Sequence, residues 1–203
     1  MLIAVEGMDG VGKTEVSKYI CEKFGFKFID KPLHYFYGNG ESDGYSNLSK
    51  FAQGIYDIKD NVIKSWYIAL GNIYAVRMFQ NEDVVLDRHF VSNYYWNGGL
   101  DSDPVFKTMI DICGKPDLTI LLYATTKTRM ERIMHRNIND ADLFDPEKKD
   151  DGYKKMIQFL EKFNLPYVLI NTENVSLDDV KTQVENEVLK LKQSKVLVKE
   201  NEN

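Results

Sequence analysis

The sequence predicts an α/β protein in three layers, a five-stranded parallel sheet flanked by helices. Five short apolar runs, at 2–5, 26–29, 84–86, 118–123 and 167–170, are separated by segments that read as helices, which implies parallel pairing with right-handed crossovers. Apolar residues recur at helical spacing between several of these runs. A glycine-rich loop follows the first run and opens directly into a helix.

The first run, Leu2-Ile3-Ala4-Val5, leads through Glu6 into Gly7-Met8-Asp9-Gly10-Val11-Gly12-Lys13-Thr14, which fits G-x-x-x-x-G-K-[ST] at every fixed position. Each residue type has a physical task. Gly7 and Gly12 permit backbone geometry that turns successive N–H groups inward as an anion nest. Lys13 brings a point charge to the β- and γ-phosphates, and the Thr14 hydroxyl is placed to ligate Mg²⁺. Val16, Tyr19, Ile20 and Phe24 form a helical stripe behind the loop, so a positive helix N-terminus adds to the field. Strand, loop and helix in this order predict the P-loop NTPase fold, with a nucleoside triphosphate held by residues 7–14.

Phe26-Lys27-Phe28-Ile29 reads as the second strand, stopped at Asp30-Lys31-Pro32, and residues 33–50 read as a long loop. From Ile55 the residues Ile58, Val62, Trp66, Ala69, Ile73 and Val76 mark a helix of about six turns. A second stripe of Ile63, Tyr67, Leu70, Tyr74 and Arg77 predicts burial on two sides, with Trp66 on the core stripe. Val84-Val85-Leu86 places Asp87 at a strand's carboxyl end, where open α/β sheets put ligand chemistry. The runs at 118–123 and 167–170 complete the sheet. A last helix begins at Ser176, carries Leu177, Val180, Val184, Val188 and Leu191 on one face, and is expected to fray after about residue 195. No linker divides the chain, so residues 1–203 read as one domain.

Composition narrows the function. A formal charge of −5 opposes broad nucleic-acid binding while leaving small anionic ligands open. Cys21 and Cys113 have no metal-ligand or redox spacing and read as packing residues of a reducing compartment. With a strand beginning at residue 2 there is no room for a signal peptide, and no apolar run approaches the ~18 residues of a membrane span. A cytoplasmic location is expected.

Residues 85–93, Val-Leu-Asp-Arg-His-Phe-Val-Ser-Asn, carry a second signal after a strand expected beside the first. Asp87 suits Mg²⁺ held through water, and Arg88 suits a bidentate phosphate contact. An Asp–Arg ion pair closing a strand end is the competing account.

Together Glu6-Gly7-Met8-Asp9-Gly10-Val11-Gly12-Lys13-Thr14 and Asp87-Arg88-His89-Phe90-Val91-Ser92 resemble the thymidylate kinase family's E-G-x-D-G-x-G-K-T and D-R-[YH]-x-x-S. A looser likeness runs from Pro116-Asp117-Leu118 through Arg136 to the last helix. The resemblance implies Mg²⁺-ATP as donor and a nucleotide or nucleoside as small-molecule acceptor. It places Asp9 and Arg88 at the acceptor's phosphate, Asn93 on the acceptor, and Arg132 and Arg136 in a mobile lid at about 132–152. It also implies catalytic roles for Lys13, Asp9, Arg88 and a lid arginine, and pairing of two copies through helix 55–79. Gly10 stands where one subclass carries an arginine, which points to the subclass that uses a lid arginine instead.

The chain departs from the family pattern at several positions. Trp96 replaces the tyrosine expected near the sugar, Lys31-Pro32-Leu33 replaces E-P-G with Lys31 able to meet a phosphate, and Arg77 is the nearest match to the base-pairing arginine. Tyr67 falls on the helix expected beside the acceptor. The lid after Arg136 is acidic, with Asp140, Asp142 and Asp145, and a solvated helix face is the competing account of Arg129, Arg132 and Arg136. Three functions follow from these residues: a kinase for a deoxynucleoside monophosphate, foremost dTMP; a deoxynucleoside kinase, which needs Asp87 or Glu6 as base; and an NTP-binding switch without transfer.

Overall fold

Each of the five apolar runs forms a strand. In a computed structural model that describes residues 1–37, 54, 55, 57–144 and 152–201, the strands are β1 (Leu2–Glu6), β2 (Lys27–Asp30), β3 (Val84–Asp87), β4 (Leu118–Tyr123) and β5 (Tyr167–Asn171). All neighbours pair in parallel, in the order β2-β3-β1-β4-β5. The register sets Val5 opposite Asp87 and Asp87 opposite Asp30, so three strands end side by side. The chain moves from β1 toward β2 on one side and later toward β4 on the other. A crevice at the carboxyl ends of β1 and β3 follows from that reversal.

The helices are α1 (Lys13–Phe24), α2 (Pro32–Tyr37), α3 (Asn61–Met78), α4 (Phe90–Asn97), α5 (Asp103–Cys113), α6 (Thr126–Arg136), α7 (Tyr153–Lys162) and α8 (Leu177–Asn201). α1 buries Val16, Ser17 and Ile20, while Tyr19 of the expected stripe turns to α8 and donates its hydroxyl to Glu185 at 2.6 Å. α8 buries Val180, Val184 and Val188 as its spacing predicts. The main core joins these residues to β1, β4, α5 and the Met156, Phe159 and Leu160 face of α7. Cys21 and Cys113 are free and half-buried, and burial pushes their thiols up to about 12 and about 11.

Three expectations are corrected. The described start of the 33–50 segment is the helix α2, not loop: Pro32 has the fixed φ of a first helical turn and Leu33 is buried. Residues 38–50 of that segment lie outside the described residues. The long helix starts at Asn61 rather than Ile55, because the Asp60 carboxylate caps it by accepting from the Ile63 N–H at 3.0 Å. Its buried row is made of small residues, Ser65, Ala69, Gly71, Asn72 and Ala75, whereas Trp66 is 39% exposed. Close approach of neighbouring backbone selects small side chains on that row, which a reading by hydrophobicity assigns to the bulky stripes. α8 runs from Leu177 to Asn201, with Lys195 paired to Asp117.

Candidate active site

The loop between β1 and α1 opens at the sheet's carboxyl edge. Gly7 has φ +138°, and a Cβ there would lie 2.5 Å from the Leu122 carbonyl oxygen of β4, so only glycine lets the loop leave the sheet at this point. Lys13 is buried in the first turn of α1 and donates from Nζ to the Met8 carbonyl at 2.9 Å, with the Asp9 carboxylate at 3.5 Å. Burial, helped by the nearby Arg88, lowers its pKa to about 8.

Asp87 closes β3 beside this loop. Its Oδ2 accepts from the Thr14 hydroxyl at 2.6 Å, and its buried Oδ1 has no hydrogen-bond partner among the described residues. Hard oxygen donors with an unsatisfied buried carboxylate oxygen suit a divalent cation. Arg88 follows in left-handed backbone at φ +77°, its N–H bonded to the Val5 carbonyl at 3.0 Å and its guanidinium paired with Asp9. A non-glycine residue held there is a strained position of the kind that clusters at functional sites. Lys31 ends β2 in the same way, at φ +47°, with its N–H 3.2 Å from the Asp87 carbonyl.

Beneath Arg88 lies a buried carboxylate. One Glu6 oxygen accepts from the backbone N–H groups of His89 at 2.7 Å and Val91 at 3.0 Å, and the other accepts from the Ser92 hydroxyl. Glu6 is fully buried, and that burial raises its pKa while these bonds pull it back. It clamps the first turn of α4 to the end of β1 and so fixes the reach of Arg88. His89 is buried against the Phe90 ring, with both ring nitrogens unpartnered among the described residues.

A cavity of about 660 Å³ joins these groups. Asp9, Gly10, Val11, Gly12, Lys13 and Thr14 form one wall, Lys31, Asp87 and Arg88 the next, and Arg132 and Arg136 of α6 face them. Gly7 and Met8 shape the loop from behind it.

Four residues expected at the acceptor lie outside the lining of this cavity. Asn93 is buried, with Nδ2 donating to the Ser65 carbonyl at 3.0 Å and Oδ1 accepting from Asn97 at 3.0 Å, so its amide ties α4 to α3. Tyr67 packs in a cluster with Leu33 and Tyr37, and Trp96 packs against the main core and the Tyr95 ring. Arg77 is exposed on the last turn of α3, next to Cys113 at the end of α5, on the amino-terminal edge of the sheet. None of the four lines the cavity. Single-residue matches along a helix do not fix which end or face a side chain reaches.

The lid arginines are engaged within the chain. Arg132 donates to the Thr172 hydroxyl at 3.0 Å and carbonyl at 2.6 Å, and Arg136 donates to Asp140 at 2.6 Å. Of the expected lid, residues 145–151, Asp145 included, lie outside the described residues. Arg129 is not on a solvated face: it is 0% exposed and bonded to the Asp9 carbonyl. Sequence reasoning missed the anchoring by Glu6 and Arg129. A carboxylate continuing the apolar run of β1 is the signal for Glu6; for Arg129 there was none, since its partner is 120 residues away.

The chain matches the family model described as Thymidylate kinase over residues 62–184. It is 30% identical to the probable thymidylate kinase of Archaeoglobus fulgidus, over 91% of this chain and 92% of that one. It is 25% identical to the probable thymidylate kinase of Methanocaldococcus jannaschii, over 91% and 93%. Among solved structures it resembles a deoxyadenosine kinase from M. mycoides with dCMP and dCDP bound, at TM-score 0.64 and 21% identity over 95% of this chain and 100% of that one. That likeness is one of fold.

Proposed function

The chain belongs to the thymidylate kinase family, and on that premise we propose that it moves the γ-phosphoryl group of ATP to the phosphate of dTMP, giving dTDP and ADP. Membership makes it a phosphotransferase; the acceptor and donor are our reading. The observation that carries it is the shared cavity in which Lys13 and Thr14 of the phosphate loop meet Asp87 and Arg88.

In this reaction an acceptor phosphate oxygen forms the new P–O bond, and the bond between the γ-phosphorus and the β–γ bridging oxygen breaks with its electrons leaving on ADP. The nucleophile is already ionised, so positioning and charge neutralisation supply the catalysis. The loop N–H groups and Lys13 would hold the donor's phosphates. Arg88, set by Asp9 and by the Glu6 clamp, would orient the acceptor's phosphate, with Lys31 as a second charge. Thr14 and Asp87 would hold Mg²⁺, which when bound with ATP neutralises charge on the β- and γ-oxygens. Arg136 would reach the transferring group by exchanging Asp140 for it, and Arg132 would border the donor.

A nucleoside hydroxyl as acceptor requires a base. Glu6 is enclosed by donors from α4, and Asp87 is the carboxylate this reading gives to Mg²⁺ beside Thr14, which favours a phosphate acceptor over the deoxynucleoside reading. We also infer pairing of two copies through α3, whose Ile63, Trp66 and Leu70 are 46%, 39% and 43% exposed on one face.

The test supplies ATP and Mg²⁺ with each nucleoside and each nucleoside monophosphate in turn, and measures ADP and phosphorylated product. Turnover with dTMP at the highest kcat/KM is expected. Phosphorylation of nucleosides only, or ADP release without an acceptor product, would overturn the proposal.

A further inference from the structure

The bulkiest fully enclosed side chain among the described residues is a charged one, Arg129. A guanidinium taken wholly out of water is costly unless its donors are met. Here Nη1 donates to the Asp9 carbonyl at 3.3 Å and Nη2 to the Thr126 hydroxyl at 3.2 Å. The backbone is equally close: a Cβ on Gly10 would lie 2.7 Å from the Arg129 carbonyl oxygen and 3.1 Å from its Cα. Helix α6 therefore rests on the phosphate loop with no side chain between them at Gly10.

Asp9, the residue so held, carries the carboxylate that pairs with Arg88 and faces Lys13 at 3.5 Å. The base of α6 is secured on its other side as well. Thr125 and Thr128 donate their hydroxyls to Glu173 at 2.6 and 2.9 Å, and Arg132 holds Thr172. With both sides fixed, α6 is a rigid support, and a small displacement of Asp9 would move both cations that the reaction needs.

We propose that Arg129 is a positioning residue: by fixing the Asp9 backbone against α6 it sets the carboxylate that aims Arg88 and Lys13, and it adds a buried positive charge under the phosphate loop. It reaches no substrate, being enclosed. The proposal rests on the kinase reading above for its kinetic form, though not for the geometry of the loop.

Three variants test it: Arg129→Met, which removes charge and donors; Arg129→Lys, which keeps the charge on a single donor group; and Gly10→Ala, which presses α6 off the loop. Thermal melting gives the folded fraction at the assay temperature, and kcat and both KM values are expressed per folded molecule. Since a misplacement of about 1 Å can cost about 10²-fold, Arg129→Met is expected to lose about that factor in kcat, with a smaller change in donor KM. Gly10→Ala should lose kcat in the same manner, and Arg129→Lys should recover part of it. Variants whose kcat per folded molecule stays within about twofold of the parent would overturn the proposal, because a merely structural role lowers the folded fraction alone. If Arg129→Met does not fold, Arg129→Lys and Gly10→Ala decide the matter by the same criterion. If the parent transfers phosphate to none of the acceptors, the kinase reading falls. Calorimetric titration with Mg²⁺-ADP then decides this one, expected about tenfold weaker in Arg129→Met and overturned by equal affinity.

Discussion

Lys13 and His89 are buried bases whose environments set opposite tests at the scale of single residues. Lys13 titrates near 8 in the free protein, so its ammonium is present below that pH and lost above it. Donor phosphates attract the charged form. The KM for ATP should be flat below about pH 7 and rise as the pH passes 8, while Lys13→Arg, permanently charged, should remove the rise even if it slows turnover. An unchanged donor KM from pH 7 to 9.5 in the parent would contradict this.

His89 bears on stability instead. Burial lowers its pKa from 6.5 to about 3, so the folded chain keeps the imidazole neutral where the unfolded chain protonates it. Stability from this group is complete above pH 6.5 and declines as the pH falls toward 3, by up to about 1.4 kcal/mol per pH unit. Urea midpoints at pH 7.5, 5.5 and 4.5 should therefore fall more steeply for the parent than for His89→Phe. Parallel lines would show that the imidazole is not held neutral. The D-R-H-x-x-S run itself was legible, because its residues are contiguous. That Glu6 binds its backbone from 83 residues away was not, since nothing local pairs a carboxylate at one strand's end with a helix start on another.

Among the elements, α2 and α3 show what local reading reaches and where it stops. The spacing of apolar residues found α3 but assigned its core face to bulky side chains, because hydrophobicity does not register how closely a neighbouring backbone approaches. α2 crosses α3 at Gly71, where a Cβ would lie 2.5 Å from the Leu33 Cα and 2.8 Å from the Pro32 carbonyl carbon. Backbone cannot yield as a side chain can. Gly71→Ala should cost about 1–3 kcal/mol in chemical denaturation, the usual range for overpacking. Because Lys31 immediately precedes α2, the acceptor KM should rise more than the donor KM. A variant of parental stability with both KM values unchanged would show that the two helices separate without consequence.

For the molecule as a whole, the exposed row of Ile63, Trp66 and Leu70 sets the test of assembly. No helix of the described residues is long and apolar enough to cross a membrane, so this row is not part of a spanning helix. Light scattering at micromolar concentration should give twice the chain mass for the parent and the chain mass for Trp66→Glu, with the thermal midpoint of the variant lowered. A monomeric parent would end the pairing proposal.

The central strands β1, β3 and β4 and the phosphate loop could be read directly, since burial on both faces of a parallel strand and an anion nest each demand particular residues in unbroken succession. Their order along the chain was enough to specify the parallel sheet and the end at which ligands enter. Which distant residues share that end was decided only by folding. Arg88 reaches Asp9, Arg129 supports Asp9 from α6, Arg136 rests on Asp140, and Arg77 is carried to the opposite edge. Such pairings depend on the lengths and crossing geometry of intervening helices, and the periodicity of any one segment holds no record of them.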